Sequence, residues 1–166
     1  MSALNIAIVP PCGTVIPADC DSRIAAVLRY WQHKHPKFGA LPGRQHVHPA
    51  ALPDLLRHLW LCDVQREPLR FRYRLVGTSI VHVTGKEITG EWLDEVHENF
   101  TASPAYADFA AAAEAGVCIY YKGRALFHLN KDYVWMERLL MPLARDGHTV
   151  DMLLGITVYC APGAAN

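Results

Sequence analysis

Residues 69–75 read Leu-Arg-Phe-Arg-Tyr-Arg-Leu, and this strict alternation constrains the fold more than any other feature of the chain. Successive side chains of a strand point to opposite faces, so Leu69, Phe71, Tyr73 and Leu75 form an apolar side and Arg70, Arg72 and Arg74 a charged one. The run before it, residues 59–64, is apolar and has the length of a strand. Gln65-Arg66-Glu67-Pro68 between the two predicts a hairpin loop.

Residues 1–18 carry Pro10, Pro11, Gly13 and Pro17, which predicts an extended or flexible arm that adds little core. Asp19 or Asp21 caps a helix over 22–35, in which Ile24, Val27, Leu28 and Trp31 recur at helical spacing until Pro36 stops it. Leu41-Pro42-Gly43-Arg44 is a loop, and a second short helix is expected over 50–58. Gly77 ends the second strand. Residues 78–100 then hold short, broken elements, with Trp92, Leu93 and Val96 marking a helical turn or two. Ser103 caps a longer helix opened by Pro104 and closed by Gly116. Strands are expected over 117–121, about 126–129, 133–143 and 149–159, with Asp146-Gly147 as the hairpin signal between the last two. Strands at both ends with helices between them predict an α+β fold, an antiparallel sheet with its helices gathered on one face. The expected divisions are an arm at 1–18, an N-terminal helix and linker at 19–40, the main domain at 41–160 and a tail at 161–166.

Composition narrows the function classes. Sixteen Lys plus Arg balance 16 Asp plus Glu, so no net field draws in nucleic acid or an anionic membrane. The five cysteines are scattered and odd in number with no C-x-x-C pair, which argues against a disulfide framework or a zinc site. No apolar run approaches the ~20 residues of a membrane helix, and the apolar start lacks a basic leader. A cytoplasmic location is the expectation.

Several segments resemble the PAS domain family, in particular the short, often single-domain PAS proteins of alphaproteobacteria. They are Leu41-Pro42-Gly43-Arg44, the arginine-alternating strand with its continuation Val76-Gly77-Thr78, Thr89-Gly90, and Glu137-Arg138-Leu139-Leu140-Met141-Pro142-Leu143 with Asp146-Gly147. The likeness spans roughly residues 24–160. It implies a PAS fold: a five-stranded antiparallel sheet clasping a pocket, with short helices on one face plus an N-terminal helix. It also implies a bacterial sensory and signalling module, commonly a homodimer, whose output passes to a signalling protein such as a kinase or regulator. No effector segment of its own is expected in the chain.

Candidate chemistry follows from residue types. The pairs His33/His35 and His46/His48 supply too few ligands at useful spacing for a metal. No G-x-S-x-G elbow or phosphate-cradling glycine loop is present, and Cys62 and Cys118 lie in apolar strands as structural thiols, so no enzyme is expected. Haem-binding members of the family take a histidine from the long helix, where this chain has none between 103 and 115; His97 and His128 lie just outside it. The Asn-Cys-Arg-Phe motif of flavin-binding members is missing. No cofactor is predicted; an unidentified small molecule is the expected ligand. Phe71, Tyr73, Trp92, Tyr106, Phe109, Tyr120 and Trp135 are the residues that would line one ligand cavity, although the same aromatics also suit a filled core. Glu137 and Arg138 are adjacent in a strand and point to opposite faces, so a buried charge needs a partner, with Arg44, Arg74 and Asp151 as candidates. Arg138 is the eighth site residue, read either as a member of a structural ion pair or as an anchor for an acidic ligand. A module that binds no ligand and works by dimerisation or partner contact, through the apolar face of the N-terminal helix around Trp31, is the alternative.

Overall fold

A computed structural model describes residues 5–9, 16–35, 39–125 and 134–160. Its centre is one antiparallel sheet in the order β1-β4-β5-β6-β2-β3, formed by Asn5–Val9 (β1), Leu59–Gln65 (β2), Arg70–Val76 (β3), Cys118–Arg124 (β4), Trp135–Leu143 (β5) and Met152–Cys160 (β6). Five of these are the strands of the expected sheet. The sixth, β1, lies within the stretch expected to be an extended or flexible arm, and it pairs with β4 from Asn5 opposite Lys122 to Val9 opposite Cys118. The prolines that signalled an arm begin only at Pro10, and Ile6, Ile8 and Val9 before them are good strand formers. The strand expected near 126–129 and the tail at 161–166 fall outside the described residues.

The helices cover both faces of the sheet. Ser22–His33 (α1) starts at Asp21, whose carboxylate accepts from the Arg23 amide at 2.9 Å. Its Ile24, Val27, Leu28 and Trp31 are all buried against β5 and β6. Trp31 Nε1 donates to the Pro142 carbonyl at 3.0 Å. The face of α1 read as a dimer surface is therefore consumed within the chain. On the other side lie Thr78–Thr84 (α2), Leu93–Val96 (α3) and Pro104–Ala115 (α4), the last capped by Ser103. The short helix expected at 50–58 is instead a set of 3-10 turns at Arg44–His46, Pro49–Ala51 and Pro53–His58. Pro49 and Pro53 each open a turn and each lack the amide that a longer α-helix would need.

Two covers explain why β5 is buried at every position from Met136 to Leu143 rather than at alternate ones. Strand β3 does alternate from Phe71 to Arg74, but its register on β2 shifts between Leu61 and Cys62: Cys62 pairs with Tyr73 while Leu61 pairs with Leu75. The bulge inserts Arg74 and turns Leu75 away from the side of Phe71 and Tyr73. Leu75 is consequently 41% exposed on the α1 side of the sheet, a correction to the simple alternation of 69–75. At the end of β3, Gly77 passes so close to the Arg57 carbonyl that a Cβ there would lie 2.4 Å from its oxygen.

A titratable contact ties α1 to the 3-10 turns. Arg23 Nη1 lies 3.2 Å from His58 Nε2, and because a guanidinium only donates, that nitrogen accepts and the imidazole is neutral. Burial, with Arg23 nearby, holds the His58 pKa below its ordinary value, and burial does the same to His35, which meets the Trp31 ring edge-on at 4.2 Å. A base whose pKa is lowered on folding is protonated first in the unfolded chain. Stability is thus present above the ordinary imidazole pKa of ~6.5 and declines as the pH falls through it. The melting temperature is expected to fall between about pH 7.5 and about pH 5.5, and His58→Gln, which can still accept from Arg23, is expected to lose less. A wild-type melting temperature that is flat over that range excludes this role.

Candidate functional site

The residues of α4 on its buried side are Ala105, Asp108, Phe109, Ala112 and Ala113, at helical spacing. Asp108 is the one charged member of that set, and it meets Arg138 of β5: Arg138 Nη2 donates to Asp108 Oδ2 at 2.5 Å. Arg138 is 2% exposed. Its guanidinium lies 5.4 Å from the Phe109 ring centre and 5.3 Å from that of Tyr121, sandwiched by aromatic faces. Burial pushes the Asp108 carboxyl above its ordinary pKa against the pull of Arg138, and burial lowers that of Arg138. Arg138 Nε is buried with no hydrogen-bond partner among the described residues.

Around this pair is a small chamber between the sheet and the helices, of about 20 Å³, lined by Arg138, Phe109, Trp60, Tyr73, Ile80, Thr84, His97, Met136, Thr157 and Tyr159. Trp60 stacks on Phe109 with centroids 5.6 Å apart and donates from Nε1 to Thr157 Oγ1 at 3.0 Å. The Tyr73 hydroxyl and His97 Nε2 are 2.9 Å apart, and burial pushes the Tyr73 phenol pKa well up, so it remains a hydroxyl. The space is that of roughly one water molecule.

Of the eight site residues read from the sequence, Tyr73, Phe109 and Arg138 line the chamber. Phe71 sits beside it, edge-on to Phe109 at 5.2 Å, and half-buried Tyr106 closes the far side, edge-on to Phe71 and donating its hydroxyl to the Leu69 carbonyl. The other three lie elsewhere. Trp92 is on the charged side of β3, where the Arg70 and Arg72 guanidinium groups lie 4.2 and 5.7 Å from its ring centre. Tyr120 is on the α1 side of the sheet, donating to Glu137 Oε2 at 3.1 Å. Trp135 is two residues before Glu137 in β5 and so shares that side.

The partners assigned to the Glu137-Arg138 pair also change. Arg44 donates to the Val47 carbonyl, Arg74 pairs with Asp63, and Asp151 is exposed. Glu137 instead accepts from the Asp21 amide at 2.8 Å and from Tyr120, with Lys122 Nζ 3.4 Å away. Asp108 and Thr157 were missing from the sequence reading, and His97 entered it only as a histidine lying just outside the long helix. A lone carboxylate inside the apolar stripe of an alanine-rich helix was the available signal for Asp108; nothing local marked Thr157.

Burial pushes the Cys62 and Cys118 thiols well up, so neither is held as a thiolate. Among the described residues no three His, Cys, Asp or Glu side chains are grouped to hold a metal ion. His46 Nδ1 accepts from the Gly43 amide and His33 Nδ1 lies 2.6 Å from the Arg29 carbonyl, while His128 lies outside the described residues. No helix among the described residues is long and apolar enough to cross a membrane.

A PAS domain family model matches residues 21–158. Among solved structures, an RNA-binding light-oxygen-voltage receptor superposes with a TM-score of 0.50 at 14% identity, over 94% of this chain and 38% of that one. At that identity the likeness concerns the fold alone, and this chain spans well under half of that receptor's length. No match is found among curated proteins.

Proposed function

Because the chain belongs to the PAS domain family, whose members are sensory and signalling modules, we propose that it senses a small ligand carrying a hydrogen-bond acceptor, a carboxylate or carbonyl, in the chamber around Arg138. The observation that carries this reading is the vacant Nε of a guanidinium that is almost wholly buried. A buried donor without an acceptor costs about 1–3 kcal/mol, more for a charged group, and an acceptor oxygen delivered beside it recovers that cost. The chamber at rest has room for about one water, so a larger ligand has to displace the elements that wall it, among them α2 through Ile80 and Thr84 and α4 through Phe109. Ligand occupancy and helix position are thereby coupled, which is what a sensor requires.

The test combines native mass spectrometry of freshly purified protein with a thermal-shift screen of small carboxylates and ketones. At about a hundred times its dissociation constant, a ligand should raise the melting temperature by about 5–10 °C. A bare-mass protein with no stabilisation by any of these compounds sinks the ligand reading. It leaves the second one, a PAS module that works by protein contact alone, which the small size of the chamber favours.

A further inference from the structure

A second recess, a mostly apolar groove of about 500 Å³, lies on the face of the sheet opposite the chamber around Arg138, between the 3-10 turns and the β2–β3 hairpin. Leu52, Leu56, Leu61 and Leu75 supply much of its wall. Leu56 and Leu75, 39% and 41% exposed, are the two exposed large hydrophobic residues of the described chain, and both face this one groove. Their convergence follows from the bulge at Leu61/Cys62, which turns Leu75 to this side.

The charged residues of the wall are Arg44 and Arg57, and no acidic side chain lines it. Arg44 uses one Nη1 donor on the Val47 carbonyl at 2.8 Å, and Arg57 uses Nε on Ser79 Oγ at 3.0 Å. Neither has a carboxylate partner among the described residues, in contrast to Arg23, Arg70, Arg74 and Arg138, which all do. A groove of this volume is in the range of small-molecule sites, and its composition is an apolar trough with two guanidinium groups able to bind an anion.

We infer that this groove is a second binding site, for an amphiphile with one carboxylate head and an unbranched aliphatic tail, the tail lying on Leu52, Leu56 and Leu75 and the head on Arg44 and Arg57. The charge on the wall selects the carboxylate. Apart from the two arginines, Thr78 is the one polar side chain of the wall, and this selects the aliphatic tail over a peptide, most of whose amides would be buried there without partners.

The experiment titrates the full chain with decanoate, kept below its micelle-forming concentration, and follows amide shifts by NMR and heat by calorimetry. One saturable site is expected, with shifts centred on Leu56, Leu75 and Thr78. Decanol and decylamine, which keep the tail and change the head, should bind at least about tenfold more weakly. Arg57→Glu and Leu75→Glu, both at exposed positions, should each weaken decanoate by about tenfold or more while leaving the melting temperature close to wild type. Decylamine binding as well as decanoate, or either variant binding unchanged, overturns the inference. So does a concentration-dependent dimer that excludes decanoate and dissociates in Leu75→Glu, because the groove is then a contact between two copies. Shifts confined to Arg138, Thr157 and Trp60 overturn it too, while supporting the chamber reading, so the two proposals fail separately.

Discussion

Replacing Asp108 with alanine is expected to cost the fold about 3–5 kcal/mol, because it strands Arg138 as an unpaired charge in the interior. Arg138 is 2% exposed, and Asp108 is its one carboxylate partner among the described residues. The pair itself is not a strong source of stability. Burial raises the Asp108 pKa despite the guanidinium beside it, which means that its ionised form is less favoured in the folded chain than in the unfolded one. The double variant Asp108→Leu, Arg138→Met is therefore expected to recover most of the loss, since replacing both members of a buried pair by apolar groups of similar size is often neutral or better. Urea unfolding of wild type, single and double variants measures this directly. A single variant that loses under about 1 kcal/mol shows that the charges are solvated and defeats the argument. A double variant that is stable but no longer stabilised by a ligand of the wild type would separate the function of the pair from its structural cost.

The second large effect is expected at Gly155, which passes beneath the indole of Trp60. A Cβ on Gly155 would lie 2.1 Å from Trp60 Cε2 and Cζ2, well inside van der Waals contact. The indole cannot swing aside cheaply. It stacks on Phe109, meets Tyr73 edge-on at 6.2 Å and is tethered by its hydrogen bond to Thr157. Gly155→Ala should therefore cost about 2–3 kcal/mol, in the upper range for overpacking, and lower the melting temperature by about 5–10 °C. The near-ultraviolet circular dichroism of Trp60 should change with it, and Trp60→Phe in the same chain should restore part of the stability by making room. An unchanged melting temperature in Gly155→Ala would show that the ring has space to move.

The parts of this fold that were legible in the sequence are those where one side of an element decides its residues. Phe71 and Tyr73 against Arg70 and Arg72 announce a strand with a dry and a wet side, and Ser103-Pro104 opens α4 as its chemistry requires. β5 could be recognised as a strand only by its apolar length, since covers on both faces erase the alternation. The site was readable in half. Trp135 and Arg138 are three residues apart, and a period of two already places them on opposite faces, so grouping them in one cavity contradicted the strand that carries both. Trp92 was misplaced for a different reason: a large aromatic need not be in the core when arginines offer their faces to it at the surface. The bulge that redirects Leu75 depends on how β2 and β3 register across the hairpin, and no local pattern in either strand specifies it.

One covalent fact about β5 has a mechanical consequence. Glu137 is bonded to the start of α1 through the Asp21 amide, and Arg138, the very next residue, is bonded to α4 through Asp108. A single peptide plane separates the two attachments, and a peptide plane does not stretch or twist appreciably. A shift of α4 that turns this plane through the Asp108 and Arg138 side chains turns the Glu137 end with it, so the path from α4 to α1 crosses the sheet through two neighbouring side chains and the one plane between them, like the crossbar of a balance.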